Sequence, residues 1–271
     1  MPYATIDDFD LYYEVIGSGP PVLCSTGWGT GTGHRVAMYP EELSEHFSLV
    51  VYDHRGIGRS RGGLSVEPST ERYADDLVKL ADHLGIADAV VFGRGGLGGC
   101  IAQIFAAKNP ERTKAAVFSQ AWHYADPWMD HSFAFAMELR ERSFAQYQLN
   151  AALLSHRPDY FNTHVDELTG DRGGWTDIRD NKEGHLALIS ASRTHDTRDL
   201  LPSITAPSLV VQSTVHDLVT GRDLGVQQHD RLPNAELVLL EESPHAIRTH
   251  EQSWNTYRAA LRDFLHKVGG R

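Results

Sequence analysis

The stretch Ala89-Val90-Val91-Phe92-Gly93-Arg94-Gly95-Gly96-Leu97-Gly98-Gly99-Cys100-Ile101-Ala102-Gln103 decides the fold class. Ala89–Phe92 is an apolar run of the buried-strand type. The glycines after it permit a tight turn. Small residues from Gly98 to Asn109 then predict a helix, which Pro110 stops. A strand that turns directly into a helix is the repeating unit of a parallel sheet covered on both faces. The same alternation extends outward from this stretch. Leu11–Val15, Val22–Cys24 and Phe47–Tyr52 read as strands before it. Tyr73, Leu77, Leu80 and Leu84 share one face of a helix over Ser69–Leu84, with Ser69 to cap it and Gly85 to end it. Further on, Ala115–Ser119, Ser208–Ser213 and Ala235–Leu240 read as strands, and Gly221–Arg231 and Gln252–Lys267 as helices.

Between residues 121 and 198 the alternation stops. Aromatics, histidines and aspartates are dense there, and helices such as Ser132–Leu154 follow one another without a strand. The prediction is an α/β core over residues 1–120 and 199–271, with helices on both faces of a mostly parallel sheet. Residues 121–198 form a helical cap inserted after the sixth strand, at the carboxyl edge of the sheet where ligands bind.

Composition excludes several classes of function. The net charge of −11 argues against nucleic acid, whose phosphates need a basic surface. Hydrophobic residues at 41% and charged residues at 23% fit a soluble globular protein. No apolar run approaches the roughly 20 residues of a membrane helix, and Met1-Pro2-Tyr3 does not open a signal peptide. A cytoplasmic protein with no membrane contact is expected. Cys24 and Cys100 make neither a disulfide framework nor a metal cluster. His123, Asp126, Asp130, His131, His156, His164, His185 and His195-Asp196 lack a recognised metal-binding helical motif, so no metal is predicted. Gly93–Gly99 has the look of a dinucleotide loop, but it lies deep in the chain and no acidic residue ends Ala115–Ser119 to hold a ribose. No cofactor is predicted, and the oligomeric state stays open.

Four segments, in order, resemble the α/β-hydrolase superfamily, especially its small lactonase, esterase and C–C hydrolase branch, over residues 3–120 and 199–267. Ser25-Thr26-Gly27-Trp28-Gly29-Thr30 is similar to the oxyanion loop, which implies that the Trp28 N–H faces a developing negative oxygen. Such a donor lowers a barrier by roughly 3–4 kcal/mol. Tyr52-Asp53-His54-Arg55-Gly56-Ile57-Gly58-Arg59-Ser60 is similar to a structural loop of the family. The opening stretch stands where the family has its nucleophile elbow, G-x-S-x-G. The serine is absent. Anchoring on Gly98-Gly99 puts Gly96 at the tip and Leu97 as the second oxyanion donor, with Arg94 where the family has a small residue. Anchoring on Gly93-Arg94 puts Gly95 at the tip and Gly96 as the donor. The first register fits the helix start better. Ser213-Thr214-Val215-His216-Asp217 follows a strand where the family places its acid, and Ser243-Pro244-His245 follows the last strand where it places its base. The resemblance implies Asp217 and His245 as that pair.

Cys100, Ser25 and Thr26 are the conceivable replacement nucleophiles, though each must also reach the base. Tyr124, Trp128 and Trp175 read as cap packing, whereas Trp122 follows the strand ending at Ser119 and should enter the crevice. Trp28 and Trp122 then suit a small apolar or aromatic substrate. Three functional readings follow. The preferred one is an enzyme without a covalent step, in which Asp217 orients His245 as general base on a small carbonyl, lactone or epoxide compound. The others are a ligand-binding pseudoenzyme and a serine hydrolase inactivated by a serine-to-glycine change. Lyase, decarboxylase or cyclase chemistry is left open beside hydrolysis.

Overall fold

The computed structural model describes residues 2–269. A nine-stranded sheet organises the chain. β1 (Tyr3–Ile6) and β2 (Phe9–Ile16) form an antiparallel hairpin, and β2 lies antiparallel on β4 (Ser48–Tyr52). From β4 onward all pairings are parallel, through β3 (Pro21–Ser25), β6 (Ala89–Gly93), β7 (Thr113–Ser119), β8 (Ser208–Ser213) and β9 (Ala235–Leu240). The two-residue β5 (Arg61–Gly62) pairs with β2. Every residue of β6 and β8 is buried, as expected for strands covered on both faces.

Alternation along the strands divides the core in two. Leu23, Val91 and Phe118 point to one face, where α2 (Thr70–His83) and α3 (Leu97–Lys108) cover them. Val22, Val90, Phe92 and Val117 point to the other, where α9 (Glu251–Gly269) brings Tyr257, Leu261, Phe264 and Leu265. The predicted limits of α2 hold: the Ser69 hydroxyl accepts from the Arg72 N–H at 3.2 Å, and Gly85 follows at φ +66°.

Between β7 and β8 the chain runs through α4 (Pro127–Arg142), α5 (Phe144–Ser155), α6 (Pro158–Leu168) and α7 (Lys182–Arg193). This insertion follows the seventh strand if β5 is counted, and the sixth among strands longer than two residues. The helix read over Ser132–Leu154 is in fact two. Ser143 adopts an extended conformation, φ −161° and ψ 123°, and its hydroxyl starts a second helix by accepting from the Gln146 N–H. Among the described residues no helix is long and apolar enough to cross a membrane.

Specific polar contacts hold the insertion over the carboxyl ends of the strands. Arg35 grips Asp177 with two hydrogen bonds, of 2.6 and 2.8 Å, and the Thr30 hydroxyl donates to the same carboxylate at 2.6 Å. Trp28 Nε1 donates to the Ser192 hydroxyl at 2.8 Å. Gly56 and Gly184 touch backbone to backbone, since a β-carbon on Gly184 would stand 2.0 Å from the Gly56 carbonyl oxygen.

Burial pushes the Asp177 carboxyl up, but the Arg35 guanidinium and the Thr30 donors outweigh it and hold the group well below the usual carboxylate range. A depressed folded-state value stabilises the fold above the unfolded value and loses that contribution as pH falls toward the folded one. Asp177→Asn should therefore lower unfolding stability by about 3 kcal/mol near neutral pH. The gap to the unmodified protein should narrow steadily below about pH 4. Urea titrations at several pH values measure it, and a gap that stays constant to pH 2 would refute this account of the contact.

Candidate active site

The turn from β6 into α3 is built for glycine. Gly95 has φ +67°, and Gly96, the N-cap of α3, has φ +75° and ψ −93°. An L side chain in such a conformation is strained by roughly 1–3 kcal/mol. The loop after β3 lies directly on this turn. The Arg94 N–H donates to the Ser25 carbonyl at 3.0 Å, and a β-carbon on Gly27 would sit 2.1 Å from the Gly95 carbonyl oxygen. Leu97 is the first residue of α3. Neither the Trp28 nor the Leu97 N–H has a hydrogen-bond partner among the described residues.

The space above the tip is filled. A β-carbon on Gly96 would stand 2.6 Å from Cζ3 of Trp122, whereas one on Gly95 would meet nothing nearer than the Gly27 nitrogen at 3.5 Å. Trp122 is 1% exposed and packs on Phe133 with ring centroids 5.3 Å apart. Its backbone carbonyl accepts from the Gln103 side chain at 3.0 Å. The ring is a buried neighbour for the turn.

Asp217 and His245 meet. His245 Nδ1 lies 3.2 Å from both carboxylate oxygens of Asp217, and its Nε2 has no partner among the described residues. The Asp217 carboxylate also accepts from the Thr220 hydroxyl at 2.6 Å and from the backbone N–H groups of Val219 and Thr220, at 2.9 and 3.0 Å. Burial raises this carboxyl's proton affinity, yet the charge and hydrogen bond of His245, with the Thr220 donors, bring it below its ordinary value. Asp217 is an anion held in place. Gln120 braces the pair from the end of β7. At φ +55° it directs Nε2 to within 2.9 Å of the Ser213 hydroxyl, 3.2 Å of Asp217 and 3.4 Å of the Pro244 carbonyl.

Two cavities join at this point. The smaller, about 80 Å³, is mainly apolar and is lined by Trp28, Leu97, Trp122, Phe133 and Tyr147. The larger, about 480 Å³, reaches toward Arg94, Arg248 and Trp254. They share Trp28, Gly95, Ser155, Trp175 and His245. Gly95, Gly96, Leu97, Trp28, Trp122 and His245 thus all line the smaller cavity, with Asp217 behind His245.

The replacement nucleophiles fare differently. Cys100 is fully buried, lines neither cavity, and burial pushes its thiol well up. Ser25 is buried beneath the loop and accepts from the Tyr52 hydroxyl at 3.1 Å. Thr26 lines the larger cavity and accepts from Arg94 Nη1 at 3.3 Å. His123, His185 and His195 are buried, which pushes their imidazoles down to about 4, 3 and 3, so they are neutral structural groups. Among the described residues no three His, Cys, Asp or Glu are grouped to hold a metal. Gln120, Ser155 and the placement of Trp175 at the cavity junction escaped the sequence reading. Gln120 carried a usable signal, since it follows Ser119 at the carboxyl end of a strand. Ser155 and Trp175 carried none.

Comparison with known proteins agrees with the fold. The family described as alpha/beta hydrolase fold matches residues 20–247. A protein of Agrobacterium fabrum named "Putative carbamate hydrolase RutD" is 30% identical over 258 residues, covering 95% of this chain and 97% of its own. Its namesake in Rhizobium rhizogenes is 31% identical over 246 residues, covering 89% and 93%. Among solved structures, the enol-lactonase from Burkholderia xenovorans superposes with a TM-score of 0.80 at 25% identity, covering 97% of this chain and 99% of that one.

The packing of Trp122 on Gly96 is measurable. Gly96→Ala should destabilise the fold by about 2–4 kcal/mol, from strain plus overpacking, and Gly95→Ala by only about 1 kcal/mol. In a Trp122→Phe background the cost of Gly96→Ala should shrink, because the clashing ring edge is gone. A double-mutant cycle by urea unfolding reads the coupling. An undiminished cost would assign the penalty to backbone strain alone.

Proposed function

Because this chain belongs to the α/β-hydrolase family, we propose that it hydrolyses a small carbonyl compound with water activated directly by His245, without an acyl-enzyme. One observation carries the reading. The His245–Asp217 pair is formed and His245 lines both cavities, while Gly96, the preferred tip, has no side chain and a β-carbon there would stand 2.6 Å from the Trp122 ring. In this scheme the Asp217 carboxylate accepts a hydrogen bond from the Nδ1–H of His245, which fixes that tautomer and leaves Nε2 free to take a proton from water. The resulting hydroxide adds to the carbonyl carbon. The Trp28 and Leu97 N–H groups hold the oxyanion, and the imidazolium returns its proton to the leaving alcohol or amine as the bond breaks. The names of the similar proteins favour carbamates and lactones as the substrate class. Helices of residues 121–198 act as the cap over the reacting carbonyl and set its size.

The Trp122 ring speaks against a serine lost from position 96, because a serine there requires the ring to move. Stopped-flow assays of p-nitrophenyl acetate, phenyl carbamate and δ-valerolactone test the scheme. Turnover should begin without a burst. His245→Ala should lower kcat/KM by roughly 10²–10⁴-fold, and Asp217→Asn should also lower it steeply. Gly96→Ser should add no burst. Turnover that survives His245→Ala ends the general-base proposal, and a burst from Gly96→Ser restores the serine-hydrolase reading.

A further inference from the structure

We infer that the larger cavity is a carboxylate site, in which Arg94 selects substrates that carry an anionic end a few bonds from the reacting carbonyl. The inference rests on His245 marking the reacting centre. Arg94 and His245 both line the larger cavity, so one molecule can meet the guanidinium with an anionic end and His245 with its carbonyl.

The charge of the larger cavity is opposite to that of the protein. The chain has 36 acidic residues against 25 lysines and arginines. Yet among the described residues no Asp or Glu lines this cavity, while Arg35, Arg94 and Arg248 do. Arg35 is neutralised by Asp177 at 2.6 Å. Arg248 donates Nη1 to the Ala37 carbonyl at 2.5 Å and lies 6.0 Å from the ring of Trp254. Arg94 has no carboxylate partner among the described residues. It is half-buried, 5.4 Å from the ring centroid of Tyr39, and its only side-chain acceptors are the Thr26 hydroxyl at 3.3 Å and the Met38 sulfur at 3.1 Å. Both are weak acceptors for a guanidinium, whose planar fork matches a carboxylate. Burial lowers the basicity of His156 in the same wall, so that imidazole adds little positive charge there. A cleft of one sign with low-dielectric walls concentrates the opposite ion.

The two cavities then divide one molecule. An apolar end enters the pocket of about 80 Å³ under Trp122, the carbonyl sits at His245, and the carboxylate meets Arg94 in the space of about 480 Å³. A monoester of a short dicarboxylic acid has this form.

Calorimetric titration of monomethyl glutarate, dimethyl glutarate and inorganic phosphate is the test. The monoester should bind the unmodified protein roughly 10- to 100-fold more tightly than the neutral diester, and the preference should weaken as salt is raised. Arg94→Gln should abolish the preference and leave the diester's affinity unchanged, which shows that the cavity is intact. Arg94→Lys should keep part of it, since the charge remains and the fork is lost. Equal affinity of the two esters, no detectable binding of the monoester, or an equal loss for both esters in Arg94→Gln would overturn the inference. Tighter binding of phosphate than of the monoester would overturn the carboxylate assignment. The readout is binding, so the same preference in His245→Ala leaves this inference standing even if the general-base scheme fails.

Discussion

The backbone of the loop after β3 lies against the backbone of the turn after β6, with no side chain between them. Gly27 faces the Gly95 carbonyl, Gly98 faces the Ser25 carbonyl, and the Arg94 N–H donates to Ser25. β3 and β6 are parallel neighbours, so their carboxyl ends emerge side by side and both connections must cross the same small area. Only glycine permits that approach at these positions, and the left-handed φ at Gly95 and Gly96 demands it independently. The contact fixes where unpartnered N–H groups can converge. It also fixes the height of the tip relative to His245, which arrives from β9 on the far side of the sheet.

Once that contact is made, the missing side chain at Gly96 has a consequence beyond lost nucleophilicity. An empty socket next to a polar dyad would hold water or collapse. Here Trp122 enters it from the end of β7, and Phe133 packs behind the ring. The apolar wall of the smaller cavity therefore reaches the tip itself. The imidazole has an anion fixed behind it and no side chain to meet at position 96.

Much of this was legible in the sequence because the deciding features are local. An apolar run, a glycine turn and a small-residue helix follow one another within residues 89–103, and period-two burial in the strands matches the two faces found. Asp217 and His245 each follow a strand, so topology brings them together. What the sequence hid depends on distant residues. That Trp122 lies over Gly96, rather than simply in the crevice, follows from the path of α4 behind it. The break at Ser143 was masked because apolar residues continue across it, and only the extended backbone and the capping hydroxyl reveal two helices. Gln120 reads as an ordinary polar residue until its left-handed backbone aims the amide at three strand ends at once.

Arg94 carries the same lesson in electrostatic form. In the sequence it is an anomaly, a long cation where a small residue suits the turn. Its backbone does meet the demands of the turn, through the N–H bonded to Ser25, and its side chain leaves the turn for the larger cavity. A guanidinium set beside aromatic rings and away from any carboxylate is costly to desolvate, and hydrogen bonds to a hydroxyl and a thioether return little of that cost. An anion held in the cavity would answer that charge. The acidic surface of the chain sharpens the point. Asp177 shows that a carboxylate could be spared for an arginine in this part of the fold, since Arg35 in the same wall has one. Arg94 has none from the described residues, so its charge faces a cavity that also contains His245.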